Sequence, residues 1–168
     1  MEHRIKIRKA RLEDFPQIYE ILQQQEVIRY TGHLSPPSEE SARERWEQRL
    51  SDPLVHTFVA EASGKVVGYC RLKQKEGRES HVGEITIVAA YPDWWNKGVG
   101  TSLMKAALRL ADDSLGLKRV RLTVHSDNKA AIHLYSKLGF QIEGRERKAT
   151  FRDGKHLDTL VMGRIRNA

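Results

Sequence analysis

Apolar residues near the start of the chain follow two different periods in turn. Ile5 and Ile7 alternate with basic residues, which predicts a strand with one exposed face. A helical period follows at Leu12, Phe15, Ile18, Tyr19 and Leu22. A loop is predicted over 27–38, and Ser38 is placed to cap a helix over 39–50. The pattern therefore predicts one strand followed by two helices.

The next segment predicts three consecutive strands. Two apolar stretches at 56–61 and 66–73 are joined by a short turn at 63–65, a pattern that is typical of an antiparallel hairpin. A polar turn at 76–80 then leads into a further strand that carries Glu84.

The chain is organised around the segment 85–111, which predicts a strand, a glycine loop and a helix. The loop carries Gly98 and Gly100, and apolar residues recur at helical spacing after it. A helix start leaves N–H groups without partners, and glycine allows a close backbone approach, so a phosphate is the first ligand expected. The spacing matches neither the G-x-x-x-x-G-K-[ST] loop nor the G-x-G-x-x-G fingerprint. A tight turn that only packs the helix on its strand remains the alternative.

The last third of the chain alternates between strand and helix patterns. Residues 119–124 alternate as a strand, and 128–138 show a helical period. Two final strands are predicted at 140–142 and 157–165, with a turn at 152–155. Because there is no internal repeat, low-complexity tract or linker, we expect one domain over 1–168.

The cysteine count and the hydropathy of the chain indicate the cellular compartment in which the protein works. Cys70 is the single cysteine, so a disulfide framework is excluded and a reducing compartment is favoured. No stretch approaches the roughly 20 apolar residues of a membrane span, and the first residues lack the apolar core of a signal peptide. We therefore expect a cytoplasmic protein without a membrane partner.

The chain is basic overall, and its charged residues are scattered along the sequence. Lys and Arg number 29 against 22 Asp and Glu, which gives a net charge of +7 and a pI near 9.6. This balance favours an acidic partner or an anionic cofactor. A nucleic-acid-binding function ranks last among the hypotheses, because the sequence has no run of five like charges and no aromatic residues interleaved with basic ones on a strand.

Two motifs stand at fixed spacing in the second half of the chain. The first is the glycine loop from Asn96 to Thr101, and the second is carried by Asn128, Ala131, Tyr135, Gly139 and Phe140. Together they resemble the GNAT family of N-acetyltransferases, in which the glycine loop is similar to the acetyl-CoA signature. The resemblance implies a single-domain α/β (α+β) fold with a central mixed, mostly antiparallel, twisted sheet. It further implies about seven strands, about four helices, and a sheet that is splayed at the cofactor site.

Within the family, the end of the chain resembles a bacterial branch that includes ribosomal-protein, polyamine and amino-acid acetyltransferases. Acetyl-CoA is the implied co-substrate, and no metal is expected, because the sequence has no Cys/His cluster with zinc spacing. The residues implied in cofactor binding are Val88, Ala89, Ala90, Trp95, Asn96, Lys97, Gly98, Val99, Gly100, Thr101, Asn128 and Tyr135.

The sequence departs from the family pattern at two places. Trp95 stands where the family usually has Gln or Arg, so one side-chain contact to the diphosphate is not expected, whereas the backbone donors do not depend on that side chain. The strand from Glu84 to Pro92 is one residue longer than usual, which predicts a β-bulge.

The resemblance also assigns catalytic roles. Tyr135 is expected to protonate the CoA sulfur, with a core aromatic as the alternative interpretation. Glu84 is expected to bind the substrate and accept its proton. The alternatives are a structural salt bridge for Glu84 and a substitute base at His81.

Other candidates lie in the predicted loop and on the last strand. Tyr30 and His33 are candidate substrate contacts, and Asp158 is expected to hold a cationic amine.

The leading hypothesis is an acetyl-CoA-dependent N-acetyltransferase that acts by direct transfer in a ternary complex. The acceptor is a primary amine: an amino acid, a polyamine, an antibiotic and a protein N-terminus all fit the sequence. A non-catalytic CoA-binding module of the same fold is the alternative function, and a homodimer is left open.

Overall fold

A computed structural model describes residues 4–32 and 38–167 and places seven strands in one sheet. The strands are β1 (Lys6–Lys9), β2 (Val55–Ala62), β3 (Lys65–Gln74), β4 (Val82–Ala90), β5 (Arg119–His125), β6 (Gln141–Arg152) and β7 (Lys155–Ile165). Their order in the sheet is β1-β2-β3-β4-β5-β7-β6. Only β4 and β5 pair in parallel, so the prediction of a mixed, mostly antiparallel sheet is confirmed.

The described residues form five α-helices, one more than the sequence predicted. They are α1 (Phe15–Leu22), α2 (Gln25–Arg29), α3 (Glu39–Ser51), α4 (Val99–Arg109) and α5 (Lys129–Lys137). The helix start at Ser38 is confirmed, since its hydroxyl accepts a hydrogen bond from the Ser41 amide at 3.3 Å. α2 lies partly inside the segment predicted as a loop and is the additional helix. No helix in the described ranges is long and apolar enough to cross a membrane.

The sheet separates two apolar cores. On the α1/α3 face, Phe15 and Ile18 pack with Trp46 of α3 and with Val59 and Tyr69 of the sheet. On the opposite α4/α5 face, the buried side chains come from α4, α5 and the same strands, and include Leu72, Leu103, Met104, Leu122 and Tyr135. Burying each large apolar side chain contributes about 1.5–3 kcal/mol, so these two cores fix the helices to the sheet.

A network of charged groups fixes the start of α1 to the edge of the sheet. Arg8 of β1 donates to both carboxylate oxygens of Asp14, at 2.8 and 2.9 Å, and to Glu61 of β2 at 2.8 Å. The Arg11 amide also donates to Asp14, at 2.8 Å. Burial by itself raises the pKa of Asp14, but the hydrogen bonds from Arg8 and Arg11 outweigh it and leave that pKa lowered.

A β-bulge interrupts β4, as the length of this strand predicted. Leu72 of β3 is opposite Ile85, whereas the preceding Arg71 is opposite Ile87, so Thr86 is the extra residue. β4 and β5 pair only over Val82–Glu84 and Arg119–Arg121, and both strands continue beyond these three pairs. The sheet therefore splays between β4 and β5, which opens a passage from one face to the other.

The hairpin at the end of the chain is longer than the sequence predicted. The turn was placed correctly, with positive φ angles at Asp153 (53°) and Gly154 (74°). β6, however, reaches Arg152, whereas the sequence predicted a strand only over 140–142. β6 is mostly exposed and polar, so it lacks the alternation of apolar and polar residues that identifies a strand. Pairing with β7 holds it in the sheet.

Candidate active site

A cavity of about 1230 Å³ passes through the splayed sheet. On the α4/α5 face it is lined by the loop before α4 and by α5; we call this part the α4 arm. The α4 arm comprises Asn96, Gly98, Val99, Gly100, Thr101, Asn128, Lys129, Leu134, Tyr135 and Lys137. On the other face it is lined by the first three helices and by β3; we call this part the α1/α3 arm. The α1/α3 arm comprises Phe15, Ile18, Leu22, Glu26, Tyr30, Arg45, Trp46, Arg49, Asp52, Tyr69, Arg71 and Lys73.

The backbone of the α4 arm is shaped to bind an anion. Asn96 and Gly98 both have left-handed backbone conformations, with φ angles of 60° and 82°. Gly98 is the N-cap of α4, and the first helical hydrogen bond runs from the Ser102 amide to the Gly98 carbonyl at 3.0 Å. The amides from Val99 to Thr101 precede that bond and point out of the helix start, where the helix dipole is positive. Together with Lys129 and Lys137, they fit a diphosphate.

The two loop glycines serve different purposes. At Gly98 an added Cβ meets no heavy atom within 4 Å, so glycine is needed there for the backbone conformation alone. At Gly100 an added Cβ lies 3.2 Å from Cδ2 of Leu134, so glycine allows α4 to pack closely against α5.

Of three other residues that the resemblance assigned to the cofactor, two line the cavity and one does not. Trp95 is 39% exposed, lines the cavity and donates from Nε1 to the Ala90 carbonyl at 3.0 Å. Asn128 also lines the cavity and caps α5, since its Oδ1 accepts from the Ala131 amide at 3.3 Å. Lys97 does not line the cavity; its Nζ lies 5.3 Å from the centre of the Trp94 ring.

The exposed edge of β4 connects the two arms. Val88, Ala89 and Ala90 line the cavity after the bulge, where β5 has diverged. Because backbone groups on this edge have lost the neighbouring strand, those other than the Ala90 carbonyl, which accepts from Trp95, are available to a ligand that extends along β4.

Tyr135 lines the cavity and is largely closed to solvent. It is 8% exposed and packs against Phe140, with the ring centres 6.0 Å apart. Burial raises the pKa of Tyr135 to about 12, so the phenol keeps its proton at neutral pH. A protonated hydroxyl on the cavity wall can act as a proton donor.

Three residues proposed from the sequence are not at the cavity. The Glu84 carboxylate pairs with Arg121 at 3.1 Å, because Glu84 lies on the part of β4 that is still joined to β5. Asp158 accepts from Arg145 and from the Lys148 amide, both at 2.9 Å. His81 is exposed in the turn before β4. Of the loop candidates, Tyr30 lines the cavity, with Arg152 over its ring at 5.4 Å, and His33 lies outside the described residues.

Two cavity residues were missed by the sequence analysis. Arg71, only 6% exposed, lies on β3 within the α1/α3 arm. His125 lines the cavity at the end of β5, beyond the splay. Burial, and then the nearby Arg152, lower the pKa of His125, so its imidazole is neutral at neutral pH. The position of His125 at the carboxyl end of an alternating strand was the signal that could have identified it.

The single cysteine is not placed for covalent chemistry. Cys70 is fully buried, and its thiol lies 3.5 Å from the Leu103 carbonyl. Burial raises the pKa of Cys70 to about 12, which opposes the thiolate that a nucleophile requires. Within 4–32 and 38–167, no group of three or more His, Cys, Asp or Glu side chains is arranged to hold a metal ion.

Comparison with known proteins relates this architecture to one family. The model of the acetyltransferase (GNAT) family matches residues 15–140. The L-amino acid N-acetyltransferase AaaT of Escherichia coli (strain K12) is 36% identical over 164 residues, which cover 96% of this chain and 98% of that protein. The spermidine N(1)-acetyltransferase of the same strain is 26% identical over 163 residues, with 95% and 85% covered.

Solved structures show the same fold. A phosphinothricin acetyltransferase from Sinorhizobium meliloti, in complex with AcCoA, superposes with a TM-score of 0.86 and 24% identity. The match covers 98% of this chain and 89% of that one. The fold predicted from the sequence resemblance is thereby confirmed.

Proposed function

The chain belongs to the acetyltransferase (GNAT) family, and we propose that its cavity holds acetyl-CoA in the α4 arm and a primary amine in the α1/α3 arm. The protein is an acetyl-CoA-dependent N-acetyltransferase. The observation that carries the arrangement is the passage through the splayed sheet. It connects a backbone site suited to a diphosphate with a second site on the opposite face.

The residues present fit the cofactor. The amides from Val99 to Thr101 bind the diphosphate, and the free edge of β4 from Val88 to Ala90 binds the pantetheine arm. Trp95, which stands where the family usually has Gln or Arg, supports this edge by its hydrogen bond to the Ala90 carbonyl. Bound acetyl-CoA supplies a thioester whose carbonyl carbon is attacked by the amine.

Tyr135 is the proposed proton donor. The new C–N bond forms as the C–S bond breaks, and the departing sulfur needs a proton. Tyr135 delivers it from the cavity wall, where burial keeps the phenol protonated. Because Cys70 is buried and protonated, we propose direct transfer in a ternary complex rather than an acetylated enzyme.

His125 is the proposed proton acceptor, directly or through water. An amine attacks only after it has lost the proton it carries at neutral pH. His125 is neutral and lines the cavity, whereas the Glu84 carboxylate is held by Arg121 outside it. The sequence assigned this role to Glu84, with His81 as a substitute. Of Glu84, His81 and His125, only His125 lines the cavity, which favours it as the base.

An amine panel tests the proposal. Free thiol is followed with acetyl-CoA and one amine at a time: an L-amino acid, a polyamine, an aminoglycoside and a peptide with a free N-terminus. We expect amine-dependent thiol release with at least one class. Tight binding of CoA without thiol release in any reaction would instead support the non-catalytic module.

Other predictions from the sequence remain to be measured. A single domain over 1–168 predicts one cooperative unfolding transition. A homodimer is tested by light scattering after size exclusion, and a cytoplasmic location by cell fractionation.

A further inference from the structure

A buried arginine lines the α1/α3 arm without a carboxylate partner. Arg71 is 6% exposed, and none of its ionisable neighbours among the described residues is an Asp or Glu. Its Nε is buried and has no hydrogen-bond partner among the described residues. The guanidinium is hydrogen-bonded to the side chain of Tyr69, which carries no negative charge. A buried cation without a carboxylate partner is costly, so its presence on a cavity wall indicates that a ligand completes the site.

The surroundings of Arg71 add further unused donors. Thr57 lies directly opposite Arg71 on β2, and its buried hydroxyl has no partner among the described residues. Trp46 and Arg71 both pack around Tyr69, with distances to its ring centre of 6.4 Å for the Trp46 ring and 5.8 Å for Cζ of Arg71. The indole Nε1 of Trp46 is also buried and unpaired within the described ranges. Arg71 and Trp46 line the cavity, whereas Thr57 lies behind it. The guanidinium and the indole N–H can only donate hydrogen bonds, so the missing ligand is an acceptor.

The charge of this arm also favours an anion. The charged residues that line it are Arg45, Arg49, Arg71, Lys73, Glu26 and Asp52. Four cations therefore oppose two carboxylates. Burial above all lowers the pKa of Arg71 to about 10, which still leaves it a cation at neutral pH.

We propose that Arg71 binds the carboxylate of the acceptor, so that the enzyme acetylates the α-amine of a free amino acid rather than a polyamine. This inference rests on the proposed function and names its acceptor class. The planar guanidinium can bind a carboxylate through two parallel hydrogen bonds, an interaction that the donor-only ammonium groups of a polyamine cannot provide.

The register of the sheet places this contact beside the reaction centre. Arg71 is opposite Ile87 of β4. Ile87 lies between the bulge residue Thr86 and Val88, the first residue of the free edge. Neighbouring strands lie about 4.8 Å apart, and the amine and the carboxylate of an α-amino acid share one carbon. Binding of the carboxylate by Arg71 therefore directs the amine towards the free edge of β4, where the thioester is proposed to lie.

Matched acceptors test the inference on the wild-type enzyme. The kcat/KM for thiol release is measured with L-phenylalanine, with its carboxamide, which keeps the amine and removes the negative charge, and with spermidine. Loss of one member of a buried charge pair predicts that the free acid is preferred over the amide by on the order of 10²-fold. A comparable value for the amide, or a higher value for spermidine, would overturn the inference.

Variants of Arg71 and of an arginine outside the cavity show whether the preference for the free acid depends on Arg71. Arg71→Gln should reduce the acid-to-amide ratio to about one, and Arg71→Lys should leave an intermediate ratio because it keeps the charge but loses the second hydrogen bond. Arg119→Gln is the control, since Arg119 is a strand arginine outside the cavity that pairs with Glu143. The control should keep the wild-type ratio.

Binding gives a readout that does not depend on turnover. Calorimetry without acetyl-CoA should detect L-phenylalanine binding to the wild type and its loss in Arg71→Gln, while acetyl-CoA affinity is unchanged in both. If no amine releases thiol, the proposed function fails. If amines are acetylated but Arg71→Gln keeps the acid-to-amide ratio, the carboxylate site is wrong and the proposed function stands.

Discussion

Replacing Gly98 by alanine tests whether the backbone of the glycine loop binds the cofactor. Gly98 has a φ of 82°, and an added Cβ meets no heavy atom within 4 Å, so the substitution introduces backbone strain without a steric clash. Holding an L-residue in the left-handed region costs about 1–2 kcal/mol. The loop can relieve that strain by rotating, which turns the amides before and after Gly98 away from the anion. We expect acetyl-CoA affinity to fall about tenfold, the equivalent of about 1.4 kcal/mol.

Gly64 provides a matched control in the hairpin between β2 and β3. Its φ is 76°, and an added Cβ there also meets no heavy atom within 4 Å. Gly64→Ala and Gly98→Ala should therefore lose similar stability, and a loss of 1 kcal/mol lowers the melting temperature by about 2–4 °C. Only Gly98→Ala should weaken acetyl-CoA binding in calorimetry. Equal affinities in the two variants, whether normal or reduced, would refute the assignment of the diphosphate to this loop.

Three further predictions concern proton transfer and stability. Tyr135→Phe should lower kcat by about 10²- to 10⁴-fold with normal acetyl-CoA affinity in calorimetry; normal turnover would make Tyr135 a core residue only. The wild-type kcat/KM should fall as the pH drops through the lowered pKa of His125, and Glu84→Gln should keep this break in the pH profile, whereas His125→Gln should lose it and follow only the protonation of the amine. The opposite result would return the base role to Glu84. Asp14→Asn leaves Arg8 without its main partner and should cost about 3 kcal/mol in urea unfolding. The pKa of Asp14 is lowered in the folded protein. The extra free energy of unfolding of the wild type should therefore be complete above the pKa of Asp14 in the unfolded chain, about 3.9, and vanish as the pH falls through its pKa in the folded protein. A difference in stability that is constant at every pH would contradict this.

Local patterns predicted most of the fold because the decisive signals lie close together in sequence. Apolar alternation placed the β2–β3 hairpin, and Asp153 and Gly154 marked the last turn. The extra residue between Glu84 and Pro92 predicted a bulge, which the register places at Thr86. Each of these features depends on residues within a few positions of one another.

Features that depend on distant parts of the chain were not predictable in the same way. α2 has only five residues, too few to show a helical period. β6 is a polar strand that exists in the sheet through its pairing with β7.

The same limit applies to the candidate site. Arg71 is buried beside Tyr69, which also packs against Trp46 of α3, and the position of Arg71 in the sequence carries no sign of these contacts. Glu84 was assigned by its place before the glycine loop, but only the sheet register shows that it precedes the splay. The sequence therefore located the loop before α4, which lines the cavity, but gave no sign of Arg71.

Simultaneous binding of acetyl-CoA and the amine is tested most directly by initial-rate kinetics. The reaction followed is the transfer of a labelled acetyl group from acetyl-CoA to the nitrogen of L-phenylalanine. Both substrate concentrations are varied, and the N-acetyl product is identified by mass spectrometry. A cavity that holds both substrates at once predicts labelled product and intersecting lines in the double-reciprocal plot. Parallel lines with label on the protein, or no labelled product with any amine, would contradict it.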